Sequence, residues 1–378
     1  MAPMPIDPSR RRFARSACAL GLMPWLAACG DDDVPAVELA YASAVQGMIA
    51  TYFLPGVLAA VRRPGQRQWN GAFGVSNLDT RAPLALASHF PIRSVTKSVT
   101  VTLVLQLVHD GVLALDDPIG LYVPGVPNGH LITLADLAGM QSGLVDYSST
   151  TPFLEEFVED FLRSWTEQEL VDFAFAEPVG FQPGAAYQYS NTNTVLLGMV
   201  VEAVTHTALA AQMDTRIFGP LAMRGSAYPF DAALPQPFPT PYGVNILTGV
   251  AREQPQISPT ALAGSGAMRS TLADLLTWGD ELGRGSLIGA TLLELRRSRS
   301  RPVTNGPEYD HYGLGLGEIG GWWGHTGSGL GYQLATMNDT VSGTTIAVMV
   351  NATPEQSRRD LNFAQEVFEA LAAVVAAG

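Results

Sequence analysis

Phe90-Pro91-Ile92-Arg93-Ser94-Val95-Thr96-Lys97, opening a mostly apolar segment that runs to Gly111, is the stretch on which the fold turns. Apolar residues on every side and a glycine at the far end suit a helix buried all round. The many β-branched residues suit a strand equally well. Spacing separates the two. Residues i and i+3 share one face of a helix, whereas in a strand they point to opposite faces. If Ser94 and Lys97 act together, the segment is a helix beginning at Ser94.

Lys97 is the only lysine in the chain; the other 21 of the 22 basic residues are arginine. Guanidinium keeps its proton in proteins, while a desolvated ammonium gives its proton up readily, so lysine is the residue to retain where a base is needed. A serine hydroxyl is a weak nucleophile until a neighbouring base activates it. Ser94 at a helix N-terminus would also set its own N–H among unpaired donors suited to an oxyanion. An ammonium set in such apolar surroundings is costly without a partner or a task.

The 378 residues, 47% hydrophobic and only 15% charged, suffice to bury one large core. Net charge is −13, and residues 1–28 carry four Arg against one Asp, so the body is more acidic still. Such a body repels nucleic acid, and no nucleic-acid partner is expected.

Residues 1–28 read as an export signal, with Arg10, Arg11, Arg12 and Arg15 preceding the apolar run 17–28. That run is too short to span a membrane as a stable helix. Ser9-Arg10-Arg11-Arg12-Phe13 resembles a twin-arginine signal, and Leu26-Ala27-Ala28-Cys29 resembles a lipoprotein cleavage box. The expectation is lipidation at Cys29, a linker over 29–37, and an exported protein anchored to a bacterial membrane, periplasmic or on the outer surface. Cys18 and Cys29 are the only cysteines, which leaves the body no thiol for a disulfide or metal site. No metal or cofactor is expected.

Outward from the central stretch, a helix is expected over 37–50 and strands over 56–61 and 68–75. Helices are expected over 154–161, 166–175 and 194–204, between Pro and Gly punctuation. Strands over 312–319, 322–326, 331–337 and 344–350 precede a helix over 355–375. The simplest architecture is one α/β (α+β) catalytic domain, 38–378. Its antiparallel sheet (38–92 and 241–378) is flanked by terminal helices, beside a mainly helical part (93–240).

Ser94-Val95-Thr96-Lys97 resembles the SxxK motif of serine β-lactamases and penicillin-binding proteins. Tyr189-Ser190-Asn191 resembles their YxN element, and His325-Thr326-Gly327 their KTG/HTG element, in the family's order. The flanks Leu115-Asp116-Asp117-Pro118, Ser142-Gly143-Leu144 and Tyr312-Gly313-Leu314-Gly315 are similar too. The resemblance covers nearly all of residues 38–378 and implies the β-lactamase/transpeptidase-like fold. It implies Ser94 as the acylated nucleophile and Lys97 as its base. Tyr189 would shuttle a proton, provided a nearby cation favours its phenolate. Asn191 would offer a donor and an acceptor to a substrate amide.

Gly327 removes a side chain where a strand must approach the nucleophile, and a substrate can pair along that strand with Thr326 and its neighbours. The Ser328 N–H is the second oxyanion donor the resemblance implies. His325 stands where many β-lactamases carry lysine, so this position would be charged only at lower pH. Met140 stands where many relatives have histidine and is read as structural.

The nearest resemblance is to D-alanyl-D-alanine carboxypeptidases acting on cell-wall stem peptides, with an esterase or weak β-lactamase of the same fold as the alternative. A different class of reading is a non-catalytic lipoprotein that binds wall peptides. In the hydrolase readings the partner is a small molecule or peptide that donates an acyl group.

Overall fold

The computed structural model describes residues 35–304, 309–355 and 361–378, so the expected export signal and the expected lipidation at Cys29 lie outside the described residues. Eight antiparallel strands form the main sheet: β1 (Gly56–Arg62), β2 (Trp69–Gly74), β3 (Arg301–Pro302), β4 (His311–Tyr312), β5 (Gly317–Ile319), β6 (Trp322–Gly329), β7 (Tyr332–Asp339) and β8 (Thr345–Val350). Their order is β2-β1-β8-β7-β6-β5-β4-β3. The sheet therefore closes by joining the two ends of the chain, with Val57 opposite Val350.

Both faces of this sheet are covered, which explains the apolar runs in β1 and β8 and the burial of every β7 residue from Tyr332 to Asn338, polar ones included. In β1, Val57, Ala59 and Val61 share a core with helices α1 (Ala36–Tyr52) and α5 (Phe363–Ala377). Leu58 and Ala60 point the other way, into the larger core formed with α2 (Val95–His109), α3 (Asn191–Thr205) and α4 (Leu272–Arg284). The period-two alternation of a strand thus divides one apolar run between two cores.

The 94–111 segment is a helix. From Val95 to Leu107 every residue of α2 is buried, so its β-branched residues pack in a core and not on a pleated surface. Gly111, at φ +72°, ends it in the left-handed region that glycine adopts freely.

Three expectations need correction. The 312–319 strand is two short strands, because the chain bends sharply over Gly313–Leu316. Arg296, 1% exposed, grips that bend by donating to the Leu314 and Gly315 carbonyls, and also binds Ser98 and Thr102 of α2. The last helix starts at Phe363 and not at 355: Ala352–Pro354 pairs with Tyr242–Val244, and Asn362 caps α5 by accepting from the Ala364 and Gln365 N–H groups.

The 241–378 portion is also not all sheet. It contains α4, with Thr271 as its cap and Gly285 at its end, and a helix over Ala290–Ser298. Helix α4 lies close on β7 because Gly279 and Gly283 leave room: a Cβ there would collide with Thr336 or Asn338.

Candidate active site

Ser94 occupies the N-cap of α2, yet its side chain makes no capping hydrogen bond. Its Oγ instead accepts from the Lys97 ammonium at 3.1 Å. Lys97 is fully buried, and its second partner is the Ser265 carbonyl at 2.9 Å, supplied by the turn Ala263–Ser265. Two neutral oxygens do not compensate a buried cation. Burial accordingly lowers the Lys97 pKa to about 7, and the Asp146 carboxylate opposes this only in part. The amine that faces Ser94 is therefore poised to hold or release a proton near neutral pH.

Gly327 of β6 explains how the strand comes so near. A Cβ there would stand 2.5 Å from the Ile92 carbonyl oxygen and 3.3 Å from the Ser94 nitrogen. Beyond Gly324, β6 pairs among the described residues with β7 alone, and its other edge comes out of burial at Ser328. The Thr326 N–H on that edge donates to the Tyr309 hydroxyl at 2.8 Å. By the two-residue repeat of a strand, the Ser328 N–H points the same way. The Ser328 hydroxyl is held by Gln333, its cross-strand neighbour.

Tyr189 is half-buried beside Ser94 and Lys97, with its hydroxyl out of solvent, in the segment leading into α3. Lys97 sits over its ring, 4.9 Å from the centroid, and not at its hydroxyl. Ser94 pulls the phenol pKa down, but without normal hydrogen-bond geometry. Burial, with Tyr309, Tyr187 and Asp146 nearby, outweighs it and raises the pKa well above 10. The condition set for a phenolate at Tyr189 is not met, and the side chain is a neutral phenol.

Asn191 stands at the start of α3. Both hydrogens of its amide are committed, to Asp146 Oδ2 (3.1 Å) and Ser148 Oγ (2.9 Å). The expected donor is thus spent within the protein, and the acceptor Oδ1 remains for a ligand.

His325 is fully buried and uncharged. Burial, with Lys97 and Arg296 nearby, pushes its pKa down to about 3, so the expected charge at mildly acidic pH is lost. It lies between two tyrosines, with Nε2 3.0 Å from the Tyr312 hydroxyl and Nδ1 3.2 Å from that of Tyr309. Tyr309 also bonds Thr326 Oγ1 at 2.8 Å, and Tyr312 lies edge-on to Tyr189. An aromatic cage therefore stands where a cation was envisaged. Met140 is buried and accepts from Asn193 Nδ2 through sulfur, which accords with a structural role.

Ser94, Lys97, Tyr189, Asn191, His325, Thr326, Gly327 and Ser328 thus converge around one end of α2. The sequence reading missed Asp146, Ser265 and the Tyr309–Tyr312 pair. Asp146 follows Ser142-Gly143-Leu144 by two residues, a signal that was available; Ser265 contributes only a backbone oxygen, which no side chain announces.

An antiparallel sheet between terminal helices and a buried helix opening on Ser-x-x-Lys define the β-lactamase/transpeptidase class of fold. The chain belongs to the Beta-lactamase family, whose model matches residues 42–369. It resembles a D-stereospecific amidohydrolase from Streptomyces sp. (30% identity, 88% of this chain and 98% of that one, TM-score 0.75). It is 34% identical over 182 residues to a D-aminopeptidase of Cereibacter sphaeroides (strain KD131 / KCTC 12085), covering 48% of this chain and 34% of that protein. With the esterase EstB of Burkholderia gladioli it shares 32% identity over 200 residues, half of each chain. The chain thus spans about a third of the D-aminopeptidase's length.

Proposed function

We propose that the protein is a serine hydrolase that forms an acyl-enzyme on Ser94. The observation that carries this is the Lys97 amine, 3.1 Å from Ser94 Oγ with its pKa brought to about 7 by burial. The unprotonated amine takes the hydroxyl proton as Ser94 attacks, and the Ser94 and Ser328 N–H groups receive the developing oxyanion. Lys97 returns the proton to the leaving group, with the neutral Tyr189 hydroxyl on the Ser94 side as a hydrogen-bond donor to it. Water then releases the acyl group by the reverse steps.

The substrates we propose are amides and short peptides carrying a D-configured residue, in keeping with the relatives named above. D-alanyl-D-alanine carboxypeptidase action on wall peptides remains one member of that class. The neutral His325 supplies no cation for a leaving group's carboxylate, which favours uncharged leaving groups. The match to EstB supports ester hydrolysis as a second reading.

The test is to incubate the protein and its Ser94→Ala variant with D- and L-alaninamide, a D-Ala-D-Ala peptide, a nitrophenyl ester and a labelled penicillin. Loss of every activity in the variant, with D-alaninamide preferred over L, is expected. A variant as fast as wild type on the best substrate sinks the mechanism.

Export and lipidation at Cys29 are proposed on residues 9–29 alone. Mass spectrometry of membrane-extracted protein should find diacylglycerol on Cys29; an unprocessed N-terminus refutes this.

A further inference from the structure

Arg93 immediately precedes the nucleophile and is a cation without a counter-charge. It is only 5% exposed and sits at φ +49°, a backbone conformation uncommon for a side chain of this size. Its Nε donates to the Gly329 carbonyl at 3.2 Å, and its guanidinium lies 5.7 Å from the centre of the Tyr332 ring. Among the described residues it makes no other hydrogen bond and no ion pair with a carboxylate. Burial lowers its pKa to about 10, so it stays protonated at neutral pH.

The side chain lines a pocket whose walls include Pro229, Asp231, Ile257, Arg269 and Tyr332. Asp231, the one carboxylate there, is exposed and accepts from the Ala233 N–H. Arg269 adds a second guanidinium to the same wall. A buried guanidinium with unspent donors, one residue before the reacting serine in the chain and lining a pocket of its own, suits a carboxylate, which its fork binds through two parallel bonds.

The position along β6 says which part of a substrate would carry that carboxylate. Lys97 and Tyr189, which serve the leaving group, lie beside His325 and Tyr312. Arg93 meets β6 at Gly329, four residues further on and about 13 Å away along an extended strand. We propose that Arg93 forms a carboxylate-binding subsite for the acyl portion of the substrate. The enzyme then prefers acyl groups bearing a negative charge a few bonds from the scissile carbonyl. This rests on the acylation of Ser94 proposed above.

Two measurements test it. The first compares kcat/KM for the mono-nitrophenyl ester of glutaric acid with that for nitrophenyl valerate, an uncharged acyl group of the same chain length. Arg93→Gln should lower the glutaryl-to-valeryl ratio at least tenfold, and a smaller fall overturns the proposal. Because it is a ratio within one variant, a general loss of folding does not imitate it. The second uses calorimetry of free glutarate on Ser94→Ala protein, which cannot be acylated, with and without Arg93→Gln. Binding at least tenfold weaker without Arg93 supports the subsite, and equal binding overturns it. If neither ester is hydrolysed by wild type while glutarate binding depends on Arg93, the carboxylate site stands, and its assignment to the acyl portion is overturned together with the acyl-enzyme reading.

Discussion

Lys97 and Tyr189 meet face-on: the ammonium lies 4.9 Å from the centre of the tyrosine ring, and the phenol hydroxyl is left to the Ser94 side. The ring face is the electron-rich part of the aromatic group, so this contact steadies a cation without ionising the phenol. The two residues are therefore not interchangeable as bases. The amine titrates near neutral pH, while the phenol stays protonated throughout the physiological range.

Replacing Lys97 by Arg keeps the charge and removes the base. A loss in kcat of about a thousandfold is expected, since general-base assistance contributes on that scale. Steady-state kinetics on the best amide or ester substrate measure it, with circular dichroism to establish that the variant folds.

The pH profile of kcat/KM should rise with one limb near pH 7 as Lys97 loses its proton. His325, titrating at about 3, adds no limb between pH 5 and 8. The Asp146 charge raises the Lys97 pKa, so Asp146→Asn should move the limb to lower pH. A limb that stays in place or moves up rules out this coupling.

Gly327→Ala places a methyl group 2.5 Å from the Ile92 carbonyl oxygen, which is backbone and has little room to retreat. The strand must withdraw from Ser94. We expect a stability loss of about 1–3 kcal/mol, as for overpacked sites, and a larger proportional loss in kcat. Urea unfolding beside kinetics separates the two effects.

His325→Lys would recreate the KTG lysine of β-lactamases inside a cage already disfavoured for positive charge by Lys97 and Arg296. A buried, uncompensated ammonium should cost about 3 kcal/mol and lower Tm. No gain in penicillin turnover is expected, since β6 and the cage must first rearrange.

Much of the site was legible because its side chains carry unusual chemistry: a solitary lysine three residues after a serine, then YxN and HTG in order. The α2 helix was legible only through that chemistry, since its composition fits a strand as well. What could not be read depends on partners far along the chain. The Ser265 carbonyl lies 168 residues from Lys97, and Arg296 sets the bend at Gly313–Leu316 by reaching four separate oxygens. His325 was read as a weak cation because sequence shows a residue's type and not its burial. Arg93 reads in the sequence as no more than a flank of the Ser-x-x-Lys motif, because nothing in its neighbours tells that its charge goes unanswered.

The pairing of Val57 with Val350 also bears on how the molecule comes to exist. Strand β1 emerges early in synthesis, but its partner β8 appears almost three hundred residues later. Until then β1 has a naked edge, and β7 acquires one when it emerges, templates for association with other chains. Assembly by so distant a contact is slow. A chain cut before β8 should therefore aggregate, although Ser94, Lys97, Tyr189 and His325 would all still be present in it.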